Sequence, residues 1–173
     1  MKLWLLDADV IIDLLSLDVL DNLVNNHKIF AASTVIDEVK YFNRTHMKIS
    51  VDLRKNYILS GLIHELSASI NELEEIISLL PPDICNTIDD GELESLAILT
   101  RDESLIFCTC DAAAIRILPL LGISNRGISV ENLLQSSGLQ KSDLIDRHTE
   151  QYFKNNLDIG KKNKIYFFNS KKV

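Results

Sequence analysis

The chain is expected to fold as one α/β domain with a mostly parallel sheet. Three observations predict this. Short apolar runs alternate with stretches of helical spacing. The 173 residues are 46% hydrophobic and 25% charged, a globular composition that excludes a disordered or collagen-like chain. The length suits one domain with a sizeable core.

The elements follow in order. Leu3 to Leu6 is a short apolar run, read as a buried strand. Val10 to Asn25 carries helical spacing through Ile11, Leu14, Leu15, Val19, Leu20 and Leu23. Lys28 to Ala32 is a second strand. Ser33 and Thr34 are helix-start residues, and Val35 to Phe42 continues as a helix. Residues 51–80 are mainly helical, with room for a short strand near Ile63 to Leu66. Asn71 to Leu80 is the clearest helix there and stops at Pro81-Pro82. Asp89 to Thr100 is a helix, Leu105 to Thr109 a strand, and Ala112 to Leu121 a helix ending at Gly122. Val130 to Gln135 and Lys141 to Asn155 are two more helices, and Lys164 to Phe168 a last short strand.

No apolar run reaches the ~18 residues that a membrane helix needs. The start Met1-Lys2-Leu3-Trp4-Leu5-Leu6 meets Asp7 and Asp9 too early for a signal peptide. Cys85, Cys108 and Cys110 are an odd number with no export signal, so a reduced, cytoplasmic protein is expected. The net charge of −7 argues against a general nucleic-acid binder. Its distribution is uneven. Residues 1–150 hold 12 Lys and Arg against 24 Asp and Glu, whereas residues 151–173 hold six Lys against the single Asp158. The basic tail is either a solvated end or a phosphate contact beside an acidic, metal-neutralised body.

In parallel sheets, ligands bind outside the carboxyl ends of the strands. Acids stand there. Asp7 and Asp9 follow the first strand, Asp111 follows the Leu105 strand, Glu38 lies early in the helix after the second strand, and Glu92 and Glu94 lie early in the helix before the Leu105 strand. Each also has a purely structural role open to it. Asp9 and Asp111 suit helix N-caps, and Asp89 with Glu92 has capping-box spacing. At about 100° per residue, Glu38 sits about 40° from Phe42 at the edge of an apolar stripe, whereas Asp37 faces water. For Glu92 and Glu94 the helix is apolar all round, so geometry does not choose between them.

Several carboxylates at one site repel unless protonated or metal-bound. Hard oxygen ligands favour Mg²⁺ or Mn²⁺ over zinc. Cys108-x-Cys110 lacks the further ligands of a zinc site, and His27, His46, His64 and His148 form no metal-binding spacing. No phosphate-loop or dinucleotide glycine motif is present. Tyr41, Phe42, Tyr57, Tyr152 and Phe153 read first as core or ordinary surface, with stacking on bases as the second role open to them.

Four stretches in order resemble the PIN-domain family of metal-dependent ribonucleases, which includes the toxins of many toxin–antitoxin pairs. They are Leu5-Leu6-Asp7-Ala8-Asp9-Val10-Ile11-Ile12, Ser33-Thr34-Val35-Ile36-Asp37-Glu38-Val39, Asp90-Gly91-Glu92-Leu93-Glu94-Ser95-Leu96-Ala97 and Cys108-Thr109-Cys110-Asp111. Gly127 to Leu134, followed by Gly138-Leu139, is similar to the end of a subgroup with a Gly-Glu-x-Glu motif. The resemblance implies a three-layer α/β/α domain with a five-stranded sheet over residues 1–139. Residues 140–173 would form a C-terminal helix and basic tail packed on the same domain.

It also implies the site. Asp7, Glu38 and Asp111 match the family's metal-binding acids, with Glu94 first and Glu92 second for the remaining place. Thr109 matches a hydroxyl residue two positions before the last acid, and Asp9 departs from the commoner Asn or Ser. The chemistry implied is Mg²⁺- or Mn²⁺-dependent hydrolysis of single-stranded RNA, leaving 3′-hydroxyl and 5′-phosphate ends. A small antitoxin protein and a homodimer through the 51–80 helices are further implied partners; a membrane is not. Two rivals stay open. Leu5 to Val10 also resembles the nucleophile motif of haloacid-dehalogenase phosphatases, with Asp7 attacking phosphorus, and a non-catalytic protein can keep the fold as a scaffold.

Overall fold

In the computed structural model, which describes residues 3–170, strand β1 (Leu3–Leu6) lies at the centre of a five-stranded parallel sheet. Its neighbours are β2 (Lys28–Ala32) on one side and β6 (Leu105–Cys108) on the other. The outer strands are β5 (Ile63–Leu66) beside β2 and β7 (Gly127–Ile128) beside β6. The chain is α/β, as the alternating apolar runs predict, with helices flanking this sheet. Trp4, Leu5, Leu6, Ile29 and Phe107 are completely buried, so the central strands are covered on both faces. Met1, Lys2, Lys171, Lys172 and Val173 lie outside the described residues.

Helix α1 (Ala8–Ser16) starts immediately after β1, capped by Asp7 rather than by Asp9. The single helix expected over Val10 to Asn25 is two. Asp18 takes a left-handed backbone (φ 59°), which ends α1 and lets α2 (Leu20–Asn26) restart at a new angle. Helix α3 (Ser33–Glu38) is shorter than expected. Val39 turns extended, and the chain forms a ribbon of β3 (Tyr41–Arg44) and antiparallel β4 (Met47–Ser50). Its two-residue turn, Thr45-His46, has φ of 48° and 63°, the primed-turn geometry that matches strand twist.

A π-helical turn (Arg54–Ile58) leads to β5, the short strand allowed near Ile63. Helix α4 (Ile70–Leu79) carries a Ser69–Glu72 capping box and stops before Pro81. The one-turn α5 (Pro82–Cys85) precedes α6 (Asp90–Arg101). After β6 come α7 (Ala112–Leu120), β7 and α8 (Val130–Ser136).

The C-terminal region departs most from expectation. Residues 141–145 are irregular, a 3₁₀ turn spans Asp146–His148, and α9 runs from Glu150 to Ser170. The segment expected as a last strand is therefore helix. A helical backbone satisfies its own hydrogen bonds, whereas a strand there would need a free sheet edge. Helix α9 packs along α7. Gly160 makes this possible, because a Cβ there would stand 2.3 Å from the Arg116 carbonyl oxygen. Phe153 fills the space over Gly127, where a Cβ would stand 2.7 Å from its ring. Among the described residues, no helix is long and apolar enough to cross a membrane.

Candidate functional site

Sheet order places the site. Across the sheet the strands lie in the order β5-β2-β1-β6-β7, so the chain builds outward from β1 on one side and then turns to the other side with β6. A crevice opens at the carboxyl ends of two strands where the order reverses in this way. The residues that follow those two strands are Asp7 and the Thr109-Cys110-Asp111 segment. A 120 Å³ cleft lies there, lined by Asp7, Asp9, Glu38, Asp89, Glu92 and Asp111 around Ala8.

Local structure fixes most of these acids. Asp7 accepts the Ala8 backbone N–H through Oδ1 at 2.8 Å and the Thr109 hydroxyl through Oδ2 at 2.7 Å. The Asp111 N–H in turn donates to Thr109 Oγ1 at 3.1 Å, so Thr109 links the two strand-end acids. Asp111 caps α7, accepting from Ala113 and Ala114. Asp89 and Glu92 form a reciprocal capping box at the start of α6. The capping roles open to Asp111, Asp89 and Glu92 from sequence are real, and these same side chains line the cleft. Asp89 enters the site without having been singled out for it; its place in the box with Glu92 was the only signal.

Glu38 ends α3 and is exposed. Its carboxylate lies against Gly91 in the first turn of α6. A Cβ on Gly91 would stand 3.0 and 3.1 Å from the two Glu38 oxygens. Glycine is therefore needed for this approach, and the helix N-terminus there favours a negative charge. Asp37 points away and pairs with Arg54 at 3.0 Å, as its position on the helix predicts.

Glu94 is not brought to the cleft. Two residues along a helix turn the side chain by about 200°, so only one of Glu92 and Glu94 can face Asp7. Glu94 is buried elsewhere. It accepts from the Thr34 N–H at 2.9 Å, from the Thr34 hydroxyl and from the Ala68 N–H at 3.1 Å. Its carboxylate ties α6 to the start of α3 and to the β5–α4 loop.

The cleft is electrostatically tense. Asp7 is 4% exposed and Glu92 5%. Burial, with repulsion from Asp89 and Asp9, raises the Asp7 carboxyl to about 7 despite its hydrogen bonds. Burial, then repulsion from Asp111, Asp7 and Asp89, raises Glu92 to about 9. Glu38 is raised too, by partial burial and by Asp89, Asp90 and Asp9. At neutral pH the bare cleft keeps a proton on Glu92 and shares one with Asp7.

Among the described residues, Arg147 is the one cation paired with a cleft acid. It bridges Asp9 and Asp13. Asp13 also meets His148 Nε2 at 2.7 Å. His148 Nδ1 accepts the Ile145 N–H, which places the ring proton on Nε2, donating to Asp13. This network, unforeseen in the sequence, anchors the segment before α9 to α1.

The donor set is all carboxylate oxygen, the chemistry that suits Mg²⁺ or Mn²⁺. As the side chains stand, no three Asp, Glu, His or Cys residues among those described form a ready metal cage. Cys108 and Cys110 are buried free thiols, with burial raising both. Of the aromatic candidates, Phe42, Tyr57 and Phe153 are buried, with the Tyr57 hydroxyl bound to Asp21, and Tyr41 is half exposed. Comparison with protein-family models, curated proteins and solved structures finds no match for the chain.

Proposed function

We propose that the chain is a metal-dependent endoribonuclease of the PIN-domain kind, hydrolysing phosphodiester bonds in single-stranded RNA with Mg²⁺ or Mn²⁺. One observation carries the reading: Asp7, Glu38, Glu92 and Asp111, far apart in sequence, line one cleft at the strand-order reversal. The surplus of unpaired carboxylates there supports a cation as the missing partner, since like charges at a buried site need one.

In this reading Asp7, Glu92 and Asp111 would hold the metal, Glu38 would complete the set from its exposed position, and Asp9 and Asp89 shape the rim. A divalent ion supplies water of lowered pKa and charge stabilisation for the leaving oxygen. The protein's own part is positional. Thr109 and the α1 N-terminus fix Asp7, the α7 N-terminus fixes Asp111, and the capping box fixes Glu92. Glu92, its carboxyl raised to about 9 in the bare cleft, would hold the ion as a carboxylate.

The phosphatase reading is weaker. It needs Asp7 as a free anionic nucleophile, whereas both its oxygens accept hydrogen bonds and burial raises its pKa to about 7. We expect no aspartyl-phosphate. A toxin role, with a small protein inhibitor, extends the same proposal; relief of growth arrest by a co-expressed neighbouring reading frame tests it. A homodimer through α4, where Ile70 and Ile77 are exposed, is tested by sedimentation.

The decisive experiment incubates the protein with labelled single-stranded RNA and millimolar Mn²⁺ or Mg²⁺. Cleavage is expected, lost in EDTA and in folded Asp7→Asn and Asp111→Asn variants. A folded wild type that neither cuts nor binds a divalent ion at that concentration leaves the scaffold reading standing.

A further inference from the structure

The β3–β4 ribbon stands apart from the main sheet as its own two-stranded unit. Its register pairs Tyr41 with Ser50 and Asn43 with Lys48. Side chains alternate across a ribbon. Phe42 and Ile49 therefore share the face turned to the core, and Tyr41, Asn43, Lys48 and Ser50 share the outer face. The inner face is anchored. Arg44 donates to the Leu15 carbonyl at 2.7 Å, pairs with Asp18 at 2.9 Å and lies 5.2 Å from the Phe42 ring centre.

The outer face has a different chemistry. Tyr41 is 50% exposed, and the Lys48 ammonium lies 3.6 Å from its ring centre. From Val39 to Val51 the chain holds Lys40, Arg44 and Lys48 and no acid, in a protein of net charge −7. Of these, Lys48 is the one on the outer face; among the described residues it forms no salt bridge, and it is exposed. The ribbon also begins at the cleft. Tyr41 follows Glu38 by three residues, so the chain can separate them by no more than about 11 Å.

We propose that this outer face is the strip on which a single strand of RNA lies as it enters the cleft, an inference that rests on the nuclease reading above. Tyr41 offers a stacking platform to one base, and Lys48 meets a flanking phosphate. The strip supplies what the acidic cleft lacks. A polyanion approaching six carboxylates is repelled; a cationic, aromatic ribbon one step away holds the strand where metal-bound acids can act on it.

The test measures a fluorescein-labelled oligouridylate binding to the Asp7→Asn protein in Mn²⁺, which removes cutting from the measurement. Adding Tyr41→Ala is expected to weaken binding about tenfold, within the range for removing one stacked base. Adding Lys48→Gln is expected to lower the slope of log affinity against log salt by about 0.7, for the one phosphate no longer neutralised. In the active protein the same changes should raise KM and leave kcat within about twofold. Both residues are exposed, so the fold should be untouched. Unchanged affinity, salt slope and KM in a parent that cuts RNA would overturn the strip alone. Polyglutamate displacing the oligouridylate at equal charge would also overturn it, marking the ribbon as a site for an acidic protein. A parent that binds RNA through the ribbon and never cuts it would retain the strip and discard the nuclease reading. A parent that does neither ends both.

Discussion

Replacing Asp7 by Asn should stabilise the bare protein. The folded Asp7 carboxyl sits at about 7 against an ordinary 3.8. Its folded pKa is raised, so its contribution to stability is present below the ordinary value and is lost as pH rises through the folded one. At pH 8 the charge is fully developed in both states and carries the whole desolvation cost. At 1.36 kcal/mol per pKa unit, that cost is about 4 kcal/mol. Asn removes the charge and keeps an oxygen for the Ala8 N–H. Its amide cannot accept the Thr109 hydroxyl as the carboxylate does, which returns about 1 kcal/mol. The net gain is about 3 kcal/mol, or about 6–12 °C in melting temperature for a chain of this size. Glu92, raised from 4.5 to about 9, lowers stability with rising pH in both proteins, so the test of Asp7 is the difference between variant and wild type at one pH. Melting followed by circular dichroism in EDTA should show the variant above wild type at pH 8 and within about 1 kcal/mol of it at pH 4. Wild type should melt higher at pH 5 than at pH 8, and Mn²⁺ should raise wild type and leave the variant unmoved. A variant that melts below wild type at pH 8 in EDTA would falsify the account of a buried, uncompensated charge.

The two candidate acids of α6 should separate cleanly. Glu94→Ala orphans the Thr34 and Ala68 N–H groups and should cost about 3 kcal/mol in urea denaturation, whereas Glu92→Gln should stabilise the bare fold and abolish the Mn²⁺-induced rise in melting temperature. Gly91→Ala should leave melting within about 1 kcal/mol, since helix propensity favours Ala, and yet depress cleavage by pushing Glu38 aside; full activity with an unshifted metal dependence would count against Glu38 as a ligand. Gly160→Ala drives a methyl into the Arg116 carbonyl and should lower stability by about 2 kcal/mol or more as α9 is pried from α7, read as a drop in the denaturation midpoint with no change at the cleft.

The inner frame was legible because it rests on local chemistry. Leu3–Leu6, Lys28–Ala32 and Leu105–Cys108 are apolar runs that only a covered strand accommodates, and each is followed by a residue able to start a helix. Asp7 and Asp111 were legible for the same reason, as acids at strand ends. The β3–β4 ribbon was not, because its turn places Thr45 and His46 in a left-handed backbone without the Gly or Asn that announces one. The choice between Glu92 and Glu94 was hidden by α6 itself, buried from Gly91 to Leu99 with Leu93 half covered. An amphipathic helix would have shown which side faced inward. Arg147 and His148 were hidden by distance, since their partners Asp9 and Asp13 lie more than 130 residues earlier and meet them only through packing.

Four of the cleft acids do two jobs at once. Asp7, Asp89, Glu92 and Asp111 each close a helix end, and under the proposed function a lineage that ceased to cut nucleic acid would still be penalised for losing them. Their persistence in descendants therefore records the upkeep of the scaffold as much as the upkeep of a reaction. Glu38 closes nothing. Under the proposed function it is the member of the set that drift would erase first, and its survival or loss across kin would tell a working copy from a retired one.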